Sequence, residues 1–239
     1  MTPRAGMGTG ASGSPIRAVL FDWGDTLFFS PRAADVIVEA AREHGVALDP
    51  AAAALLWDEL WAAGKTPEEH AKGRDLSAEA HRSVWTALFA RAEEVVPGLA
   101  PLLYERVMHP AGWRPYPDTG PVLRALKERH VATGVVSNIA LDIRPLFARH
   151  GLADLVDTFV LSFEHGVAKP APVLFAAACR ELGTAPAETL MVGDDPVTDG
   201  GAAAAGLRVH VLPPPNGDGP RGLAAVLDVV DASRRSLRS

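Results

Sequence analysis

Val19-Leu20-Phe21-Asp22-Trp23-Gly24-Asp25-Thr26-Leu27 is a short apolar run that ends in an aspartate and passes into a tight polar loop. With Ala18 in front, the run has the length and apolar continuity of a strand buried on both faces, and Gly24 marks the loop after it. A carboxylate at such a strand end, with a hydroxyl at Thr26 close behind, is placed as a nucleophile and its orienting partner would be. The second acid of the loop, Asp25, follows a glycine.

After this loop the pattern is helical for about 80 residues. Ser30-Pro31 offers an N-cap and a first-turn proline, and Val36, Ile37, Ala40 and Ala41 recur at helical spacing until Gly45. Leu55, Leu56 and Leu60, with Trp57 and Trp61, predict a second helix. Thr66-Pro67-Glu68-Glu69 has the form of a capping box, in which Thr66 and Glu69 satisfy each other's backbone donors. Ser77 caps a further helix through Val84, Trp85, Leu88 and Phe89, and Pro101 to Met108 is another. No strand signal interrupts Ser30 to His109, so the stretch reads as a compact helical insertion. Trp57, Trp61 and Trp85 read as its apolar core.

From Pro117 onward the period alternates. Helix Val122 to Lys127, strand Val131 to Val136, helix Ile143 to His150 and strand Phe159 to Leu161 are followed by helix Pro172 to Leu182, strand Leu190 to Val192, helix Ala202 to Ala205 and strand Val209 to Leu212. Alternation at these lengths implies an α/β fold, a Rossmann-like parallel sheet covered by helices on both faces. In such sheets ligands sit beyond the carboxyl ends of the strands. The polar clusters fall there: Asp22, Ser137-Asn138 and Asp194-Asp195.

Composition bounds the reading. The chain has 239 residues, 48% of them apolar, enough for one large domain or a core with an inserted subdomain. A net charge of −6 gives no reason to bind nucleic acid or an anionic membrane. The first sixteen residues are rich in Gly, Ser and Thr and lack the apolar stretch of a signal peptide, and no later run reaches membrane-spanning length. A cytoplasmic protein with a flexible tail over 1–16 is expected. Cys179, the only cysteine, lies in an apolar helical pattern, so a disulfide framework is excluded.

A carboxylate attacks phosphorus only if the repulsion between two anions is relieved. Asp22 and Asp194 can supply oxygen ligands to Mg²⁺, Lys169 can set a point charge against the nucleophile, and Ser137 with the backbone N–H of Asn138 can hold a further oxygen. Four ordered segments, Phe21 to Leu27, Val136-Ser137-Asn138, Lys169-Pro170 and Val192-Gly193-Asp194-Asp195-Pro196-Val197-Thr198-Asp199, resemble the haloacid dehalogenase superfamily, in the branch with a helical cap inserted after the first strand. The resemblance covers Ala18 to Leu212 and implies a core over 17–29 and 115–239 with an all-α helical-bundle cap over 30–114.

It further implies Asp22 as a nucleophile forming an aspartyl-phosphate, Ser137 as phosphate ligand, Lys169 as charge stabiliser, and Asp194 on Mg²⁺ with Asp199 or Asp195 in support. The backbone carbonyl of Gly24 is implied as another metal ligand. The side chain at that position departs from the pattern. Phosphatases of the family have an acid there that protonates the leaving oxygen, whereas Gly24 has nothing to donate. Asp25 next door either substitutes or caps its own loop.

The leading expectation is therefore a Mg²⁺-dependent phosphohydrolase acting on a small phosphorylated or acidic metabolite, as a monomer or homodimer. The alternatives are a catalytically weakened binding or regulatory protein, and a hydrolase of C–halogen or C–P bonds. A C–P hydrolase needs a desolvated Schiff-base lysine, and Lys65 and Lys72 read instead as solvated.

Overall fold

Ala18–Phe21 (β1) is apolar at every position and buried at every position. Such a strand has no face to offer water, so it belongs in the middle of a sheet. The computed structural model, which describes residues 14–30 and 32–235, places it there. Most of the expected tail over 1–16, and Pro31, lie outside the described residues.

The chain leaves β1 through Phe28–Phe29 (β2) and enters five helices: Ala33–Glu43 (α1), Pro50–Gly64 (α2), Pro67–Ala71 (α3), Ala78–Phe89 (α4) and Leu99–Leu103 (α5). A π-type turn over Tyr104–Met108 extends α5, and Arg114–Pro115 (β3) brings the chain back. Then follow Thr119–Glu128 (α6), Ala132–Ser137 (β4), Arg144–Arg149 (α7), Thr158–Leu161 (β5), Ser162–His165 (α8), Pro172–Leu182 (α9), Thr189–Gly193 (β6), Arg208–Val211 (β7) and Ala224–Arg235 (α10).

Five of these strands form a parallel sheet in the order β5-β4-β1-β6-β7. The chain winds outward from β1 through β4 to β5, then returns to the other side of β1 for β6 and β7. The order therefore reverses between β1 and β6, and a crevice opens at that switch point, outside the strands' carboxyl ends. Asp22 follows one of these two strands and Asp194 the other.

Period-two alternation divides the core. Val19 and Phe21 face a cluster with α6, α7 and α10, while Leu20 faces α9 and Ala202. Phe21, Phe147 and Phe175 are each fully buried, contributing about 1.5–3 kcal/mol apiece by area. The cap has its own apolar cluster, drawn from residues 33–108 and including Ile37, Phe89 and Leu103. Two links join cap to sheet, and they pair with each other: Phe28 opposite Pro115 and Phe29 opposite Arg114, antiparallel.

Several local readings are corrected. Helix α1 starts at Ala33 with Arg32 as N-cap, not at Ser30. Thr66 accepts from the Glu69 N–H at 3.3 Å, but Glu69 does not return the bond; its carboxylate binds Lys72 at 2.6 Å. Residues Gly200–Ala205 form a 3₁₀ helix and not an α-helix, since the Gly-Ala run has little side-chain packing to impose a wider turn. Helix α10 was unforeseen, although Leu223, Val226 and Val230 carry the spacing of one buried face. Among the described residues no helix is long and apolar enough to cross a membrane.

Candidate active site

Asp22 is fixed by its backbone, whose N–H donates to Val192 O at 2.9 Å and so extends the β1–β6 ladder by one residue. Its carboxylate accepts from Lys169 Nζ at 2.6 Å, and the same ammonium donates to Asp199 Oδ1 at 2.6 Å. Lys169 is 4% exposed and Asp199 fully buried. The other Asp199 oxygen accepts from the Asp195 N–H at 3.0 Å. One oxygen each from Asp22, Asp194 and Asp199 lies within 4.8 Å of the others. Segments 177 residues apart at their extremes, from 22 to 199, thus meet at one point.

Electrostatics follow from that crowding. Burial, then repulsion from Asp199 and Asp194, pushes the Asp22 carboxyl up to about 7 against the pull of Lys169. Asp194 rises to about 6, through burial first and then its neighbours Asp25 and Asp199. Burial opposes the Lys169 charge, yet Asp199 and Asp22 together hold its pKa above the ordinary lysine value. Three carboxylates and one ammonium leave net negative charge in a largely buried space.

Other side chains are placed differently from expectation. The Thr26 hydroxyl donates to Asp194 Oδ1 at 3.3 Å, so it orients the acid of β6 and not Asp22. Asp195 accepts from the Val197 and Thr198 N–H groups at 2.8 and 3.0 Å, which lowers its pKa against the effect of burial and ties it to its own turn. Asn138 acts through its side chain: Oδ1 accepts from Lys169 N at 2.6 Å and Nδ2 donates to Lys169 O at 3.0 Å. This two-sided clamp on the lysine backbone was not foreseen. Ser137, the last residue of β4, lines the same cavity.

Two glycines make the arrangement possible. A Cβ on Gly193 would lie 2.1 Å from Asp199 Oδ2, and one on Gly201 would lie 2.3 Å from Pro170 Cβ. Only a bare backbone lets the buried acid and the lysine loop approach so closely.

Gly24 has a different reason. A Cβ there would meet the Trp113 ring at 3.3 and 3.4 Å. That indole is stacked on Trp23 at 4.4 Å and donates to Val107 O at 2.8 Å. A side chain at position 24 would therefore press its Cβ against a held aromatic ring. Asp25 takes the left-handed conformation, φ 53°, donating its N–H to Phe28 O at 2.7 Å and accepting on its carbonyl from Arg221 Nε at 2.6 Å. Its carboxyl is raised above the usual range by burial and lines the cavity with Asp22.

The cavity measures about 170 Å³, with a floor of core residues and a roof from the cap. Trp61 and Trp85 belong to both the cap cluster and this roof, so they are packing and pocket wall at once. Lys65 also lines it, with Nζ 5.0 Å over the Trp61 ring. Lys65 is exposed, as its polar setting predicts, and reaches the cavity edge from there; Lys72 is engaged with Glu69. A larger space of about 710 Å³ lies at the seam of cap and linker and shares Asp25 with the cavity.

A doubly wound sheet with an acid at its switch point, a buried lysine across from it and a helical cap above defines a class of capped α/β hydrolase. The family model for haloacid dehalogenase-like hydrolases matches residues 16–206, and the chain belongs to that family. A glyceraldehyde 3-phosphate phosphatase of Methanopyrus kandleri is 31% identical over 184 residues, 75% of this chain and 76% of the relative. A ribulose-1,5-bisphosphate 5-phosphatase of Halopiger xanaduensis is 30% identical over 210 residues, 82% and 84% of the two chains. Among solved structures, an L-2-haloacid dehalogenase superposes with a TM-score of 0.67 at 22% identity, covering 91% of this chain and all 100% of that one, a likeness of fold.

Proposed function

We propose that this hydrolase is a Mg²⁺-dependent phosphohydrolase that cleaves a small phosphorylated metabolite through an aspartyl-phosphate. The observation that carries the reading is the Lys169 ammonium bonded at 2.6 Å to both Asp22 and Asp199, beside the carboxylate of Asp194. The two relatives named as phosphatases of small phosphorylated compounds support the substrate class.

The donor set fits a hard divalent cation. Three carboxylates converge, and burial, followed by repulsion from neighbouring acids, raises the pKa of two of them, which a bound cation would oppose. Asp22, Asp194 and the Gly24 carbonyl would hold the ion; Asp199, with both oxygens engaged, supports it from behind. Bound Mg²⁺ would supply charge neutralisation for the attack of one anion on another.

An Asp22 oxygen attacks phosphorus, and the bond from phosphorus to the ester oxygen breaks. Lys169 holds the attacking carboxylate and offsets the phosphoryl charge, while the Ser137 hydroxyl and Asn138 N–H bind a non-bridging oxygen. Asp25, kept protonated to a higher pH by burial, gives its proton to the leaving oxygen. It then takes a proton from the water that hydrolyses the acyl-phosphate, restoring both acids. The cap over 30–114 closes on the core over 17–29 and 115–239 about the β2–β3 ribbon, excluding bulk water from the intermediate.

Mg²⁺-dependent release of p-nitrophenolate from p-nitrophenyl phosphate, abolished in Asp22→Asn, is the expected result. A folded protein that turns over no phosphate ester overturns the reading. The Trp113 ring against Gly24 favours a second one, binding with little turnover. Under that reading the double variant Gly24→Asp/Trp113→Ala gains phosphatase activity that the natural chain lacks.

A further inference from the structure

The loop after β1 is held in shape from the far end of the chain. Asp25 is in the left-handed region, φ 53°, which a residue with a side chain adopts only where its surroundings fix it. Two bonds fix it, one on each side of the residue. Its N–H donates to Phe28 O at 2.7 Å, which closes the turn locally. Its carbonyl accepts at 2.6 Å from Nε of Arg221, 196 residues further along. Arg221 lies beyond residues 16–206, the stretch that the family model matches.

Arg221 is 6% exposed and is itself clamped. Its N–H donates to Asp118 Oδ1 at 2.9 Å, and the N–H groups of Gly222 and Leu223 each donate to Asp118 Oδ2 at 2.9 Å. Asp118, at the start of α6, thereby ties down the approach to α10. Beside it Tyr116 N and the Thr119 hydroxyl both donate to Leu27 O, at 3.0 and 2.7 Å. The return from the cap and the approach to α10 therefore converge on residues 25–27. Stability alone is a poor reason for this guanidinium to be buried: desolvation opposes its charge, and Nη2 is buried without a partner. A constraint on the Asp25 peptide is a better one, because Asp25 lines the cavity with Asp22 and a rotation of that peptide would swing its carboxyl.

We infer that Arg221 is a positioning residue for the reaction, holding the Asp25 backbone so that the displaced acid of the loop reaches the leaving oxygen. The inference rests on the phosphohydrolase reading with Asp25 as its acid. It makes the segment before α10 part of the machinery, although no side chain of that segment touches the reacting atoms. The signature of a positioned acid is selectivity for the leaving group. An alkoxide needs a proton in order to depart, whereas p-nitrophenolate does not. A residue that merely stabilises the fold lowers turnover of both kinds of ester alike.

The test compares n-propyl phosphate with p-nitrophenyl phosphate on the full-length protein with Mg²⁺, reading kcat/KM, which covers the steps through departure of the alcohol. Arg221→Met is expected to lower the value for the propyl ester by at least about thirtyfold and for the aryl ester by no more than about threefold. Arg221→Lys, which keeps a donor, is expected to retain part of the propyl activity. Asp25→Asn shows the same selective loss, and adding Arg221→Met to it brings no further discrimination between the esters. If Arg221→Met does not fold, Asp118→Asn, which loosens the clamp at its other end, must lower the propyl value by at least about threefold more than the aryl value. Equal losses for the two esters in the Arg221 and Asp118 variants, or a selective loss that persists undiminished in the Asp25→Asn background, overturn the inference and leave the phosphohydrolase reading standing. A natural chain that turns over neither ester overturns both.

Discussion

Floor and roof of the cavity differ in how closely their charged groups are bound. In the floor the lysine and its acids form one network: Lys169 with Asp22 and Asp199, Asp199 with the Asp195 N–H, and the lysine backbone with both ends of Asn138, although Trp23 Nε1 there is buried without a partner. In the roof Arg74 Nε and Trp85 Nε1 are buried without acceptors. The floor is organised before any ligand arrives, as a site that stabilises developing charge must be.

The contrast breaks most visibly if a floor group is removed. Lys169→Met strands two buried carboxylates and is expected to destabilise the fold by about 3–5 kcal/mol, measured by urea denaturation, with turnover falling to background. A smaller effect is expected from Asn138→Ala, which leaves every charge in place but frees the lysine backbone; kcat should fall by up to about a hundredfold with KM little changed. A larger change in KM than in kcat would show that Asn138 acts on substrate directly.

Protonation sharpens the comparison further. Asp22 and Asp194 sit near 7 and 6 in the fold, above the ordinary 3.8. Between these values the native state binds more protons than the unfolded chain, so metal-free stability falls as pH rises from about 4 to 7 and levels off above. Mg²⁺ favours the ionised carboxylates, so its stabilising effect on the melting temperature should be greater at pH 7.5 than at pH 5. Asp22→Asn should flatten the metal-free slope. The smallest effect belongs to the roof: in Trp85→Phe the removed orphan N–H offsets lost ring area, and stability should change by no more than about 1 kcal/mol. A loss comparable to Lys169→Met would erase the distinction.

Much of this was readable from particular residues. The run Ala18 to Phe21, apolar at each place, announced a central strand, and Pro172 to Leu182 matched its helix to the residue. The 3₁₀ helix at Gly200–Ala205 was read as α because an alanine run carries no signal that separates the two. Helix α10 was missed behind the Pro- and Gly-rich stretch from Pro213 to Gly222.

Sequence by itself determined the alternation of strands and helices and the acids at the strand ends, because apolar period and turn residues are local properties of the chain. Tertiary structure alone decided that Thr26 serves Asp194, that Asn138 clamps Lys169, that Trp113 packs against Gly24, and that Lys65 and Arg74 line the cavity from the cap. Those relations join segments far apart in the chain, and no residue pattern within one segment encodes which distant side chain it will touch.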